Sequence, residues 1–256
     1  MRKSQGIILG IIALFWLPPT LVSGAEIHNL NEAVNLAGRQ RMYTMRMLKD
    51  YIMIGEKLAY KDPAGDLEKI KKDFQESHAS LVAYVKDPTL SAELKHIGTL
   101  WNTVQKMTSE PPKKEQAGVY ARGAIDFREK LNTFVDHLAR SGGDDRAETI
   151  DAAGRLRAVS QALAAVYQLR AWEMPHADEA IKKPMKVFRR SLDDLKKAKE
   201  TQPPMQVLLK ELEKIYLFFE VMNQSKVATP TLVIKKTDAM LHKASELTEL
   251  YVQSTK

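Results

Sequence analysis

Cysteine is absent from the 256-residue chain, which excludes disulfide staples, a lipid-modified N-terminal cysteine, haem attached through thioethers and thiolate metal sites. Stability must come from an ordinary apolar core. Beyond the first 25 residues no segment approaches the roughly 20 consecutive apolar residues that a bilayer span needs. The six histidines, His28, His78, His96, His137, His176 and His242, never fall one helical turn apart, so no metal site is expected. A nucleophile with its base and acid, a glycine-rich phosphate loop after a strand and a partnered carboxylate pair are all missing. The chain is expected not to be an enzyme and to carry no cofactor.

The N-terminus has Arg2 and Lys3, an apolar run from Gly6 to Leu17, Pro18-Pro19, and the small residues Ser23-Gly24-Ala25. That order of basic, apolar and small residues is a secretory signal peptide. Residues 1–25 are expected to be removed, leaving an exported protein that begins near Glu26 and spans no membrane. Uncleaved, the segment would act as an anchor, and export would still hold. Losing Arg2 and Lys3, with no acidic residue, lowers the formal net charge from +7 to +5. The remaining basic residues interleave with acidic ones, as in Lys69-Ile70-Lys71-Lys72-Asp73, in the manner of solvated helix faces. Nucleic acid is not an expected partner, while the charge leaves room for an anionic ligand or partner.

Apolar residues recur at helical spacing. Leu67, Ile70, Phe74, Leu81 and Val85 form one stripe, Leu90, Leu94, Ile97, Trp101 and Val104 the next, and Tyr120, Ala124, Phe127, Leu131, Phe134 and Leu138 a third. With a first helix over roughly 30–58 they make four helices separated by Lys61-Asp62-Pro63, Asp87-Pro88 and Pro111-Pro112. The second half repeats the plan. A helix over roughly 145–174 is followed by stripes at Ile181, Met185, Phe188, Leu192 and Leu195, at Leu208, Leu212, Ile215, Phe219 and Met222, and at Val233, Met240, Ala244, Leu247 and Tyr251. Short connections favour antiparallel neighbours, hence two up-down-up-down four-helix bundles. Ser141-Gly142-Gly143-Asp144-Asp145 reads as a tight reversal, glycine ending one helix and aspartate capping the next.

The first helix of each half shares an unusual motif. Asn35-Leu36-Ala37-Gly38-Arg39-Gln40-Arg41-Met42 returns in weakened form as Asp151-Ala152-Ala153-Gly154-Arg155-Leu156-Arg157-Ala158. Glycine inside a helix costs about 1 kcal/mol relative to alanine, so something must come close to the backbone there. The expected organisation is an internal duplication, with residues 26–141 as one copy and 145–256 as a degenerate second. The reversal sends the fifth helix parallel to the first. The two bundles should therefore pack side by side as a pseudo-dimer, with the Gly-Arg helices adjacent.

Asn35 to Met42 closely resembles the signature of the PilJ-type domain, the periplasmic N-terminal module of type IV pilus methyl-accepting chemotaxis transducers. It is also similar to the periplasmic box of nitrate/nitrite sensor kinases. The resemblance implies a four-helix sensor bundle in the periplasm and, from the nitrate sensors, an anion held at a dimer interface by the arginine three residues after the glycine. That residue is Arg41 in the first copy and Arg157 in the second. A further arginine eight residues after the glycine matches Arg46, where the second copy has Ala162. Such transducers and kinases continue through a membrane helix into cytoplasmic modules, whereas this chain ends at Lys256 after its eighth expected helix. The expectation is a sensor domain free in the periplasm.

On a helical wheel Arg41 shares a face with Val34, Gly38, Met45, Leu48 and Ile52, and Arg157 with Ile150, Gly154, Gln161, Ala164 and Gln168. Two guanidinium groups meeting at such a contact repel, and each loses hydration. A small oxyanion would relieve both, because the planar fork of N–H donors suits nitrate or carboxylate oxygens. The ligand-binding set is Gly38, Arg39, Arg41, Arg46, Gly154, Arg155 and Arg157. The plainer alternative is that the arginines pair with acidic side chains or run along the helix to water. Met42, Met45, Met47 and Met53 resemble a soft-metal cluster but fit core packing better. A sensory protein that signals an anion to a membrane receptor therefore stands against a ligand-free adaptor docking on a chemoreceptor or pilus component. A haem-carrying bundle with His or Met axial ligands would be betrayed by its colour.

Overall fold

The computed structural model describes residues 26–143, 145–225 and 228–254; the signal peptide expected over 1–25 and Asp144 of the expected reversal lie outside them. All regular structure among the described residues is helical: α1 Leu30–Gly55, α2 Pro63–Tyr84, α3 Pro88–Met107, α4 Lys114–Arg140, α5 Asp145–Ala171, α6 Ala177–Ala180, α7 Lys182–Lys197, α8 Pro203–Gln224 and α9 Pro230–Gln253.

Local chemistry sets the helix starts. Asn29 caps α1 by accepting from the Glu32 N–H at 2.9 Å, and the Glu32 carboxylate accepts from the His28 N–H at 3.0 Å, so two otherwise orphaned donors are satisfied at one end. The Asp-Pro pairs initiate helices: Asp62 accepts from Gly65 and Asp87 from Leu90, with Pro63 and Pro88 at the first helical positions. Proline has no N–H to leave unpaired there.

Eight helices were expected, and α6 is an additional single turn. The apolar pattern predicts a fifth helix to about Met174, but α5 stops at Ala171, where Glu173 and His176 take left-handed φ values of 59° and 64° around Pro175. Proline disfavours helical geometry in the residue before it, and the chain restarts as α6 before α7.

One continuous apolar core runs through the helices. Among α1 to α4, Phe74 stacks on Trp101 at 4.0 Å and lies 5.6 Å from Phe127; among α5 and α7 to α9, Phe188 stacks on Tyr216 at 5.0 Å. α1 and α5 lie between the two groups. Leu30, at the start of α1, lies against Gly142 just ahead of α5, and Gly55, at its end, lies against Trp172 just beyond α5. The two helices therefore run parallel along their length. From Ala147 to Leu169, α5 is buried on nearly every face, as expected of a helix with neighbours on all sides.

Glu56 ends α1 with a buried carboxylate oxygen that has no partner. Burial raises its pKa from 4.5 to about 7, against the opposing charge of Lys114. A carboxyl with a raised folded pKa binds its proton more tightly in the folded state, so stability falls as pH rises from 4.5 to 7. Glu56→Gln should leave the thermal midpoint unchanged at pH 4.5 and raise stability at pH 8 by about 1 kcal/mol, after discounting for partial exposure. Thermal melts of both proteins across that range check it.

Candidate functional site

The parallel contact buries one face of each helix: Val34, Gly38, Arg41, Met45, Leu48 and Ile52 from α1, and Ile150, Gly154, Arg157, Gln161, Ala164 and Gln168 from α5. Arg41 and Arg157 are 0% and 2% exposed. A Cβ on Gly38 would lie 3.2 Å from Arg41 Nη2 and 3.4 Å from Arg157 Nη2; one on Gly154 would lie 3.2 Å from Arg157 Nη2 and 3.3 Å from Arg41 Nη2. What comes close to the glycine backbones is therefore the pair of guanidinium groups. Long side chains on a helix lean toward its N-terminus, and each arginine reaches back over the glycine of its own helix.

Their partners differ. Arg41 Nη2 lies 2.6 Å from the buried carboxylate of Asp151 and donates to the Asp151 carbonyl at 3.5 Å, while Nη1 donates to Asn132 Oδ1 at 3.5 Å. Arg157 Nη2 donates to the Asn35 carbonyl at 3.3 Å, and its Nε is buried without a partner. Among the described residues no carboxylate pairs with Arg157. Its pKa is lowered from 12.5 to about 9, mainly by burial and then by the charges of Arg39 and Arg41, with Glu249 opposing. Burial also pushes the Asp151 carboxyl upward, but the Arg41 and Arg155 charges more than reverse this and hold it below its ordinary value.

The flanking arginines complete the charge distribution. Arg39 pairs with Glu249 at 2.6 Å, and Glu249 also accepts from Asn35 Nδ2 at 3.3 Å. Arg155 pairs with Asp136 at 2.8 Å and Asp151 at 2.5 Å. Four arginines thus face three carboxylates, Asp136, Asp151 and Glu249, and the excess positive charge sits on the most enclosed guanidinium without an acid, Arg157. One turn further along α5, Gln161 is 0% exposed, and neither its amide nitrogen nor its oxygen has a partner. Buried polar groups are normally satisfied. The Nε atoms of Arg41 and Arg157 and the Gln161 amide therefore leave unused hydrogen-bonding capacity at the contact.

A half-open cleft of about 220 Å³ approaches from solvent, lined by Arg128, Glu129, Asn132, Asp136, Arg155 and Lys183 among others. Asn132 links it to the interior through Arg41. Arg46 stands apart. Its Nε and Nη2 donate to the two oxygens of Asp66 on α2 at 2.7 and 2.6 Å, in a separate cleft shared with Lys49, Asp50, Lys61 and Asp238. Of the seven residues read from the sequence, the structure brings Gly38, Arg41, Gly154 and Arg157 together, sets Arg39 and Arg155 at the flanks, and places Arg46 elsewhere.

Sequence reasoning missed Asp151 as the partner of Arg41, although the acid at 151 where the first motif has Asn35 was its signal. Asn132, Asp136 and Glu249 come from α4 and α9, and their spacing gave no hint.

Residues 25–127 match the family model described as type IV pili methyl-accepting chemotaxis transducer N-term, PilJ. The matched stretch runs from before α1 into α4 and contains Gly38, Arg39, Arg41 and Arg46; Gly154 and Arg157 lie beyond it. No curated protein and no solved structure matches the chain.

Proposed function

We propose that the protein is an exported, periplasmic sensory component that takes a small oxyanion, such as nitrate, nitrite or a carboxylate, between α1 and α5. It then reports the bound state to a membrane chemoreceptor or pilus-associated partner. The observation that carries this is Arg157, a fully enclosed guanidinium with no acid to neutralise it. An unpaired buried charge costs several kcal/mol. One monoanion would balance the cluster and accept from Arg157 Nε and the Gln161 amide. The likeness of residues 25–127 to a chemotaxis transducer domain supports the sensory half of the proposal. If 26–141 and 145–256 are two copies of one unit, the α1–α5 contact stands in for a subunit interface.

The guanidinium groups fill the space left by the glycines. Admitting an anion must therefore displace a side chain and shift α1 against α5, and that shift is the signal passed on. A ligand moves such an equilibrium only through its different affinity for the two arrangements.

A thermal-shift screen of small oxyanions tests the proposal. An anion at a hundredfold its dissociation constant should add about 2.7 kcal/mol, or roughly 5 to 10 °C for a chain of this size. Arg157→Met should abolish the shift, and Arg46→Ala should leave it intact because Arg46 is engaged with Asp66. If no oxyanion moves the midpoint, anion uptake is ruled out and a ligand-free adaptor docking on a transducer or pilus component takes its place.

A further inference from the structure

We propose that the chain supplies its own anion at one of two equivalent positions: the Asp151 carboxylate occupies the Arg41 position, and Asn35 leaves the Arg157 position open. Residues 35 and 151 would thereby set the capacity at one oxyanion per chain. The inference rests on anion uptake at this cluster.

Positions 35, 39 and 41 recur as 151, 155 and 157, and their contacts correspond. Arg41 reaches the backbone and carboxylate of Asp151. Arg157 reaches the backbone of Asn35, where the side chain carries no charge. Each position has a flanking arginine and a second acid: Arg155 between Asp151 and Asp136 on one side, and Arg39 with Glu249 on the other. The decisive difference is charge: Asp151 sets a carboxylate against Arg41, whereas Asn35 offers Arg157 only its backbone carbonyl, with an uncharged amide as its side chain.

Ionised aspartate presents a negative charge on two acceptor oxygens, as carboxylate and nitrite ligands do and as nitrate does on three, whereas the asparagine amide has one acceptor and no charge. Asp151 is therefore chemically equivalent to a ligand already in place. Asn35→Asp would convert Asn35, Arg39 and Glu249 into the acid-arginine-acid arrangement that Asp151, Arg155 and Asp136 already form. The added carboxylate would thus meet a cation that can hold it.

Calorimetric titration of nitrate, with ligand-free thermal midpoints, tests this on the wild type, Asn35→Asp and Asp151→Asn. The expected stoichiometries are one, none and two nitrates per chain. The ligand-free midpoint should rise in Asn35→Asp, which gives Arg157 a counter-ion, and fall in Asp151→Asn, which takes one from Arg41. Nitrate bound equally by the wild type and Asn35→Asp would overturn the inference and leave anion uptake standing. Binding by Asp151→Asn alone, or by none of the three, would reject uptake by the native chain and with it the capacity of one oxyanion per chain, whichever way the midpoints move.

Discussion

Replacing Arg157 with methionine raises the thermal midpoint of the ligand-free protein and abolishes its response to anions. Arg157 is enclosed, lacks an acid and leaves Nε unpartnered, so the substitution removes a desolvated charge while keeping an unbranched side chain of similar reach. Methionine fills irregular core space well, and the glycines leave room for it. Exchanging buried ionic groups for packed apolar ones is often stabilising by about 1–4 kcal/mol. For a protein of this length that is a rise of roughly 2 to 15 °C. The pH dependence has a definite sign. With the folded pKa lowered to about 9, the guanidinium is charged in both states at neutral pH and its full penalty is present. Above pH 9 the unfolded chain binds more protons than the folded one, so wild-type stability gains relative to the variant. The gap between their midpoints should narrow from pH 7 to pH 10.

Asp151→Ala has the opposite effect. Its carboxylate is the acid on Arg41, and both groups are buried. Removing one partner of a buried pair typically costs about 3–5 kcal/mol because the other charge is left uncompensated. The loss is sharpened here because Arg41 would then be unpaired beside Arg157. Arg155 retains Asp136, so the damage centres on Arg41. The midpoint should drop by roughly 10 °C or more. Nitrate should restore part of it by supplying the missing negative charge. Asp66→Ala removes a pair from the partly exposed Arg46, 31% accessible at its side chain, and should cost only about 1 kcal/mol. Thermal melts of the two variants, with and without nitrate, separate the buried pair from the surface pair.

The all-helical class was legible because the apolar stripes carry a helical period: Phe74, Trp101, Phe127, Phe188 and Phe219 all reach the core. The meeting of Arg41 and Arg157 was legible in another way, through a glycine repeated three positions ahead of an arginine in two buried helices. Two kinds of feature escaped. The end of α5 depends on the left-handed residues Glu173 and His176, and neither is a glycine that would mark such geometry. The ion-pair partners come from distant elements: Glu249 from α9, Asp136 from α4 and Asp66 from α2. Periodicity shows which face of a helix is buried. It does not show which acid on a neighbouring helix arrives opposite each arginine, and that choice decides that Arg41 is neutralised and Arg157 is not.

The most direct measurement is a crystal structure of the protein grown with nitrate. Planar density within roughly 3 Å of Arg157 Nε, at hydrogen-bonding distance, with α1 displaced along α5 relative to the nitrate-free form, is the predicted result. Nitrate found only on the exterior, with Arg157 still enclosed and without a counter-ion, would contradict the assignment of this cluster as an anion site.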